Sequence, residues 1–175
     1  PIMETKENSE ELHNNQWLAG IRILDNDDPF EDYLRHLFSI GETKMVGKHP
    51  KIYVHFKGKN HSLTSGAAKQ HLAEIFAGTT LYRTITDPLA HPHKNEAINQ
   101  LLISIGSTRM DTSTPFILSV LKAQATGTLG DDMTRAILRE TLVLLVRRKM
   151  TELATTQYDV MFPSLLAKIV NEPSP

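Results

Sequence analysis

Alternation of apolar and polar residues predicts short strands in the first half of the chain. The clearest case is the segment 51–57, in which every second residue is large and apolar. The segments 17–24 and 80–86 alternate less regularly. We therefore expect two or three short strands within residues 17–86.

Helix signals surround these strands. Asp28 suits a helix N-cap and Pro29 suits the first helical position, so a helix is predicted from here to just before Gly41. A second helix is predicted over residues 66–77, with Gly78 ending it. Strands and helices are thus expected to pack together in this half of the chain.

The second half of the chain repeats apolar residues every three or four positions, which is the spacing of an amphipathic helix. Helices are predicted to begin near residues 95, 114, 131 and 163. The helix of roughly residues 131–154 is apolar on more than one side, so we expect it at the centre of the fold. The sequence therefore predicts an α+β fold that is predominantly helical, with an all-helical C-terminal half.

Length and composition indicate one globular domain. With 175 residues, 40% of them hydrophobic and 22% charged, the chain is long enough to bury a core. Residues 1–15 are polar and acidic, so we expect a disordered tail followed by a single globular domain over residues 16–172. No apolar run approaches the roughly 20 residues of a membrane helix, and residues 1–16 lack the pattern of a signal peptide. The expected location is cytoplasmic.

Residues typical of metal sites and of catalysis form no known pattern here. Cysteine is absent, which excludes disulfides, thiolate metal sites and cysteine nucleophiles. The eight histidines lack the helical spacing of a zinc motif, so we expect surface histidines and no metal or other cofactor. Nucleophile elbows, phosphate-binding glycine loops and dinucleotide fingerprints are also missing. An enzyme with a histidine-containing site stays open as a third hypothesis.

Two partial motifs have simpler explanations. Residues 25–28 look like the start of a calcium loop, but Phe30 and His36 stand where glycine and glutamate are required, which favours a helix cap. A helix-turn-helix across Gly78 is disfavoured, because the residues after this glycine look like a strand.

The charge is unevenly distributed along the chain. The net charge is −1, yet residues 1–32 carry nine acids and residues 43–73 carry six lysines and no acid. A basic segment, residues 44–69, could neutralise phosphates and stack bases, which makes the chain a candidate nucleic-acid (polyanion) binding protein. The candidate site consists of Lys44, Lys48, Lys51, Tyr53, His55, Lys57 and Lys59.

A structural role for the same lysines is the competing interpretation, since charged residues on an edge strand prevent aggregation. A third is that the acidic N-terminal part packs near these lysines, in the same copy or in another. The segment also contains no arginine, the side chain that most often identifies bases.

A second candidate surface lies on the long C-terminal helix. Its basic residues border a very apolar sequence, which suits a partner helix or a second copy of the chain. The candidate partner-binding residues are Arg135, Arg139, Arg147 and Arg148. We therefore expect a non-catalytic binding protein, namely a protein-protein adaptor or assembly subunit that uses its helical half, with nucleic-acid binding as the alternative.

Overall fold

The computed structural model describes residues 18–24, 27–48, 50–60, 65–151, 160–163 and 165. Its helices are α1 (Leu18–Ile23), α2 (Asp27–Phe38), α3 (Lys51–Asn60), α4 (Ser65–Thr86), α5 (Glu96–Ser107), α6 (Thr114–Ala125) and α7 (Asp131–Met150). A single 3₁₀ turn, Asp111–Ser113, precedes α6, and residues 160–163 form another helical turn. The predicted tail, residues 1–15, lies outside the described residues.

The prediction of an α+β fold is wrong, because the described residues form helices and no strand. Residues 51–57 belong to α3, although they alternate like a strand. Ile52 and Phe56 are four residues apart and therefore also share one side of a helix. Ile52 is buried and Phe56 half-buried, whereas Val54, which a strand would place beside them, is 65% exposed.

The other two predicted strands are helical as well. The segment 17–24 is largely α1, and 80–86 is the end of α4, which continues through Gly78. Threonines in α4 satisfy their hydroxyls inside the helix: Thr79 Oγ1 donates to the Phe76 carbonyl at 2.7 Å. This local hydrogen bond satisfies the hydroxyl, so the threonine is accommodated in the helix although β-branched residues favour a helix less.

Contacts divide the chain into two compact units. The first comprises the described residues up to Phe38 together with Val46–Thr80, and the second comprises Ser39–Met45 and the described residues from Leu81 onward. The prediction of a single globular domain stays a prediction.

Aromatic contacts connect the helices of the first unit. The rings of Phe30 in α2 and Phe76 in α4 stack with centroids 6.1 Å apart. The ring of Phe56 in α3 stacks on Phe38, with centroids 5.3 Å apart. The hydroxyl of the fully buried Tyr33 donates a hydrogen bond to the Ile75 carbonyl of α4. Helices α2, α3 and α4 are thus joined by ring contacts and one buried hydrogen bond.

Helices α5, α6 and α7 form the second unit and begin close to the predicted positions. The Asn95 side chain caps α5 by accepting hydrogen bonds from the Ala97 and Ile98 backbone amides at 3.1 and 3.3 Å. Pro115 stands in the first turn of α6, whose residues from Thr114 to Leu118 are all buried. Helix α6, and not the long α7 as predicted, is therefore the most enclosed helix of this unit.

Candidate partner-binding groove

Helix α7 buries one narrow side. Its buried residues are Thr134, Leu138, Thr141 and Leu145, spaced by four, three and four positions. Acids in its first turn and bases in its last turn both match the helix dipole and stabilise the helix ends. The narrow buried stripe leaves most of the circumference of α7 outside the core of this unit.

Large apolar side chains lie on the uncovered part of α7. Met133 is 56% exposed, Leu144 is 37% exposed and Met150 is 80% exposed. Single exposed apolar residues are normal on protein surfaces, but Met133 and Leu144, about three helical turns apart, lie on the same side of α7 and together indicate a contact surface.

An apolar groove lies beside Leu144. The groove has a volume of about 340 Å³. The rings of Phe116 and Phe162, both buried, have centroids 5.7 Å apart and form its base, while Leu165 is exposed at its rim. Helix α7 supplies the remaining lining, namely Ala136, Ile137, Glu140, Thr141 and Leu144. Glu140 is the single ionisable side chain in this lining, so the groove suits apolar side chains of a partner.

The four predicted partner-binding arginines do not share one surface. Arg147 lies three residues after Leu144 and is exposed on the groove side of α7. Arg148 donates to the sulfur of Met161 at 3.6 Å and is half-buried. Arg135 and Arg139 lie four residues apart on a different side, where Arg135 forms a 2.7 Å ion pair with Asp132. Of the four, Arg147 is the one positioned to contact a molecule in the groove.

The groove residues were not predicted as a site. The sequence shows the excess of apolar residues on α7, but the same excess fits a central position in the fold, which is what it predicts. Phe116 and Phe162 join the site through packing across 46 positions of sequence, which no local pattern reveals.

The predicted nucleic-acid site is divided by the helical structure of α3. On a strand, Tyr53, His55 and Lys57 would share a face, but on a helix alternate residues point in nearly opposite directions. His55 packs against Phe38, with ring centroids 6.2 Å apart, and is half-buried. Lys57 lies over the exposed Tyr53 ring, 6.0 Å from its centroid.

The remaining basic residues of that predicted site differ in their surroundings. Lys51 is exposed at the start of α3, and Lys48 forms a 3.3 Å ion pair with Asp32. Lys44 is exposed but belongs to the second unit, and the Lys59 side chain lies outside the described residues. Among the described exposed residues of α3, Tyr53 and Lys57 therefore share a side, while Lys51 points away from Tyr53.

A polar network in the second unit was also missed by the sequence analysis. His93 was expected at the surface but is only 9% exposed. Its Nδ1 accepts the Asn95 backbone N–H at 3.0 Å, so the proton of the neutral ring lies on Nε2, which donates to Gln124 Oε1 at 3.3 Å. A longer contact joins Nδ1 to the Asn95 carbonyl at 3.4 Å. It would require the proton on Nδ1, which would then face the Asn95 backbone N–H, a second donor.

Asp131, the first residue of α7, completes this network. Its two carboxylate oxygens accept hydrogen bonds from Gln124 Nε2 at 2.8 Å and from Asn95 Nδ2 at 2.7 Å. These hydrogen bonds, that of Gln124 first, hold the pKa of the Asp131 carboxyl below its ordinary value. The network thereby fixes the start of α7 to the end of α6 and to the cap of α5.

Neither the groove nor a second described cleft contains a histidine. That cleft, of about 190 Å³, lies among α4, α5 and α6, and Asp111 is its one ionisable lining residue. Among the described residues, no three histidine or acidic side chains are grouped closely enough to hold a metal ion. The hypothesis of a histidine-containing enzyme site gains no support from these two concave regions.

Comparisons with protein-family models, with curated proteins and with solved structures give no match. Among the helices in the described part of the chain, none combines the length and the apolarity that a membrane span requires.

Proposed function

We propose that this chain is a non-catalytic protein-protein adaptor or assembly subunit that receives an amphipathic helix in the groove beside α7. The observation that carries this proposal is the open apolar groove between α7 and the Phe116–Phe162 pair. An amphipathic helix inserts apolar residues at three- and four-residue spacing into such a groove. The expected cytoplasmic location stays a prediction.

The packing beneath the groove supports the same proposal. Phe116 belongs to α6, which is the most enclosed helix of the unit, and the wall of the groove is α7, which begins in the His93–Gln124–Asp131 network. Side chains that are already held by packing lose less freedom when a partner binds, which favours affinity.

Photocrosslinking from the groove tests the proposal. A benzophenone amino acid replaces Leu144 in the full chain, expressed in its own cells, and the crosslinked peptides are identified by mass spectrometry. The control places the same residue at Leu89, which is 77% exposed and lies outside the groove. We expect residue 144 to capture a defined helical segment that residue 89 does not. Equal and unspecific crosslinking from both positions would contradict the proposal.

Binding of a polyanion such as nucleic acid is a second candidate function. It is supported by the exposed Lys51 and Lys57 beside Tyr53, in a helix that contains no acid. The helix α3 brings fewer of the predicted nucleic-acid-binding residues to one surface than a strand would. We therefore rank this function below protein binding.

A further inference from the structure

Five residues follow the groove side of α7 in a two-helix packing pattern. They are spaced by four, three, four and three positions: Met133, Ile137, Glu140, Leu144 and Arg147. This is the repeat with which one helix packs along another. The row of five residues lies next to the buried stripe of α7. One side of the helix therefore packs in its own unit, and the adjacent side faces outward.

The charged members of this outward row are of opposite sign. Glu140 and Arg147 are seven residues apart, which is two helical turns, and both are exposed. If two copies of α7 packed in parallel and in register, Glu140 would face Glu140 and Arg147 would face Arg147. In an antiparallel pair each Glu140 faces an Arg147 of the other copy. Both contacts between like charges are then replaced by contacts between opposite charges, which attract.

The ends of α7 favour the same orientation. Its first turn is acidic and its last turn is basic, so the side-chain charges reinforce the helix dipole. An antiparallel arrangement opposes the dipoles of the two helices, whereas a parallel one aligns them. A two-fold axis generates this arrangement from a single self-complementary surface.

On the basis of the proposed function, we infer that the partner helix in the groove is α7 of a second copy of this chain, antiparallel to the first. The two-fold axis passes near Leu144, and Leu144 of each copy enters the groove of the other. Ile137 of each copy extends the apolar contact on either side of the axis, and the two Glu140–Arg147 pairs fix the antiparallel direction.

Charge reversal on the full chain tests this inference by sedimentation velocity across a dilution series. We expect the native chain to dimerise and each single variant, Glu140→Arg or Arg147→Glu, to dimerise at least about tenfold more weakly, which corresponds to about 1.4 kcal/mol. An equimolar mixture of the two single variants should pair again, because each supplies the charge that the other lacks. The control, Glu74→Arg on the exposed side of α4, should dimerise like the native chain.

Three results would overturn the inference: a monomeric native chain at every concentration, single variants that dimerise like the native chain, or a mixture of single variants that does not pair. These results are distinct from failure of the proposed function. If the chain is monomeric but residue 144 crosslinks to a helix of a different protein, the inference about a second copy is wrong and the proposed function stands. If residue 144 captures nothing beyond the control, both are wrong.

Discussion

Gly78 of α4 lies directly against the hydroxyl of Tyr33 in α2, so that a methyl group at position 78 would overlap the phenol and come within 3.3 Å of its Cζ atom. Tyr33 is fully buried and donates its hydroxyl proton to the Ile75 carbonyl, one turn earlier in α4. Glycine is thus required at position 78 for the close approach of two helices, and not to end a helix as the sequence suggested.

Substitution Gly78→Ala is expected to lower the free energy of unfolding, although alanine favours a helix. Overpacking of a buried contact costs about 1–3 kcal/mol, whereas the helix propensity of alanine returns at most about 1 kcal/mol. Urea unfolding measures the difference. Gly106→Ala is the matched control, because position 106 lies in α5 with no atom near the added methyl group, and we expect this variant to be as stable as the native chain or more so. Equal effects of the two substitutions would contradict the explanation.

Stability is expected to decrease below about pH 6.5 because of His36. Burial, and secondarily the adjacent Arg35, lowers the pKa of His36 to about 3, while Asp32 opposes this shift. Arg35 Nη2 lies 3.1 Å from His36 Nε2 and can only donate, so the histidine accepts and stays neutral. As the pH falls, the unfolded chain binds a proton that the folded chain does not, and stability is lost by up to about 1.4 kcal/mol per pH unit.

Urea unfolding between pH 5 and 7, where most carboxylates remain ionised, measures this slope. His36→Leu should flatten it, because the titrating group is gone from both states. His91→Leu, at a half-buried loop position, is measured alongside it as the control for the loss of a histidine elsewhere in the chain. An unchanged slope in His36→Leu would assign the pH dependence to other groups.

Substitution Gln124→Leu is expected to loosen the start of α7. The buried Nε2–H of His93 would lose its acceptor, at a cost of about 1–3 kcal/mol. The pKa of the Asp131 carboxyl should rise toward its ordinary value, because Gln124 supplies the largest stabilising hydrogen bond to its charged form. Thermal unfolding and an NMR titration of the Asp131 carboxyl measure the two effects. The control, Gln100→Leu on the exposed side of α5, should change neither the stability nor the pKa of Asp131. If Gln124→Leu leaves the pKa of Asp131 as in the native chain, the network is refuted.

The sequence predicted the helices of the second half because their starting signals are local. Asn95, Pro115 and Asp131 each act within one turn of their own helix. In residues 51–57 the local pattern fits both a strand and a helix, and contacts of Phe56 with Phe38 and His71 favour the helix. Those contacts depend on residues outside the segment, so the segment alone could not decide.

The candidate site was predictable only in part, for the same reason. The apolar surplus of α7 is visible in the sequence, and so is Arg147. The side of α7 that is covered depends on α5 and α6, and the base of the groove depends on the Phe116–Phe162 contact. The buried hydrogen bond of His93 likewise depends on Gln124, 31 positions away. Such long-range pairs have no signature in a single sequence.

Oligonucleotide binding is expected to be weak and only mildly dependent on salt. Two exposed lysines of α3, Lys51 and Lys57, would give a slope of log K against log salt near −1.8, compared with about −4.5 for five phosphate contacts. Fluorescence anisotropy of labelled single- and double-stranded oligonucleotides at several salt concentrations measures this slope. Lys51→Glu combined with Lys57→Glu should abolish whatever binding is present. A slope steeper than about −4 would favour nucleic-acid binding over the adaptor function.

Disulfide trapping at Leu144 tests the central claim most directly, because the chain contains no cysteine of its own. Near a two-fold axis, two copies of one residue come close enough for a disulfide, whose Cβ atoms lie about 3.5–4.5 Å apart. Leu144→Cys is compared with Leu89→Cys, which is more exposed but lies outside the groove. Under mild oxidation, we expect a covalent dimer to form rapidly from Leu144→Cys and slowly from Leu89→Cys. Equal rates for the two variants, or a faster reaction at position 89, would contradict antiparallel pairing through α7.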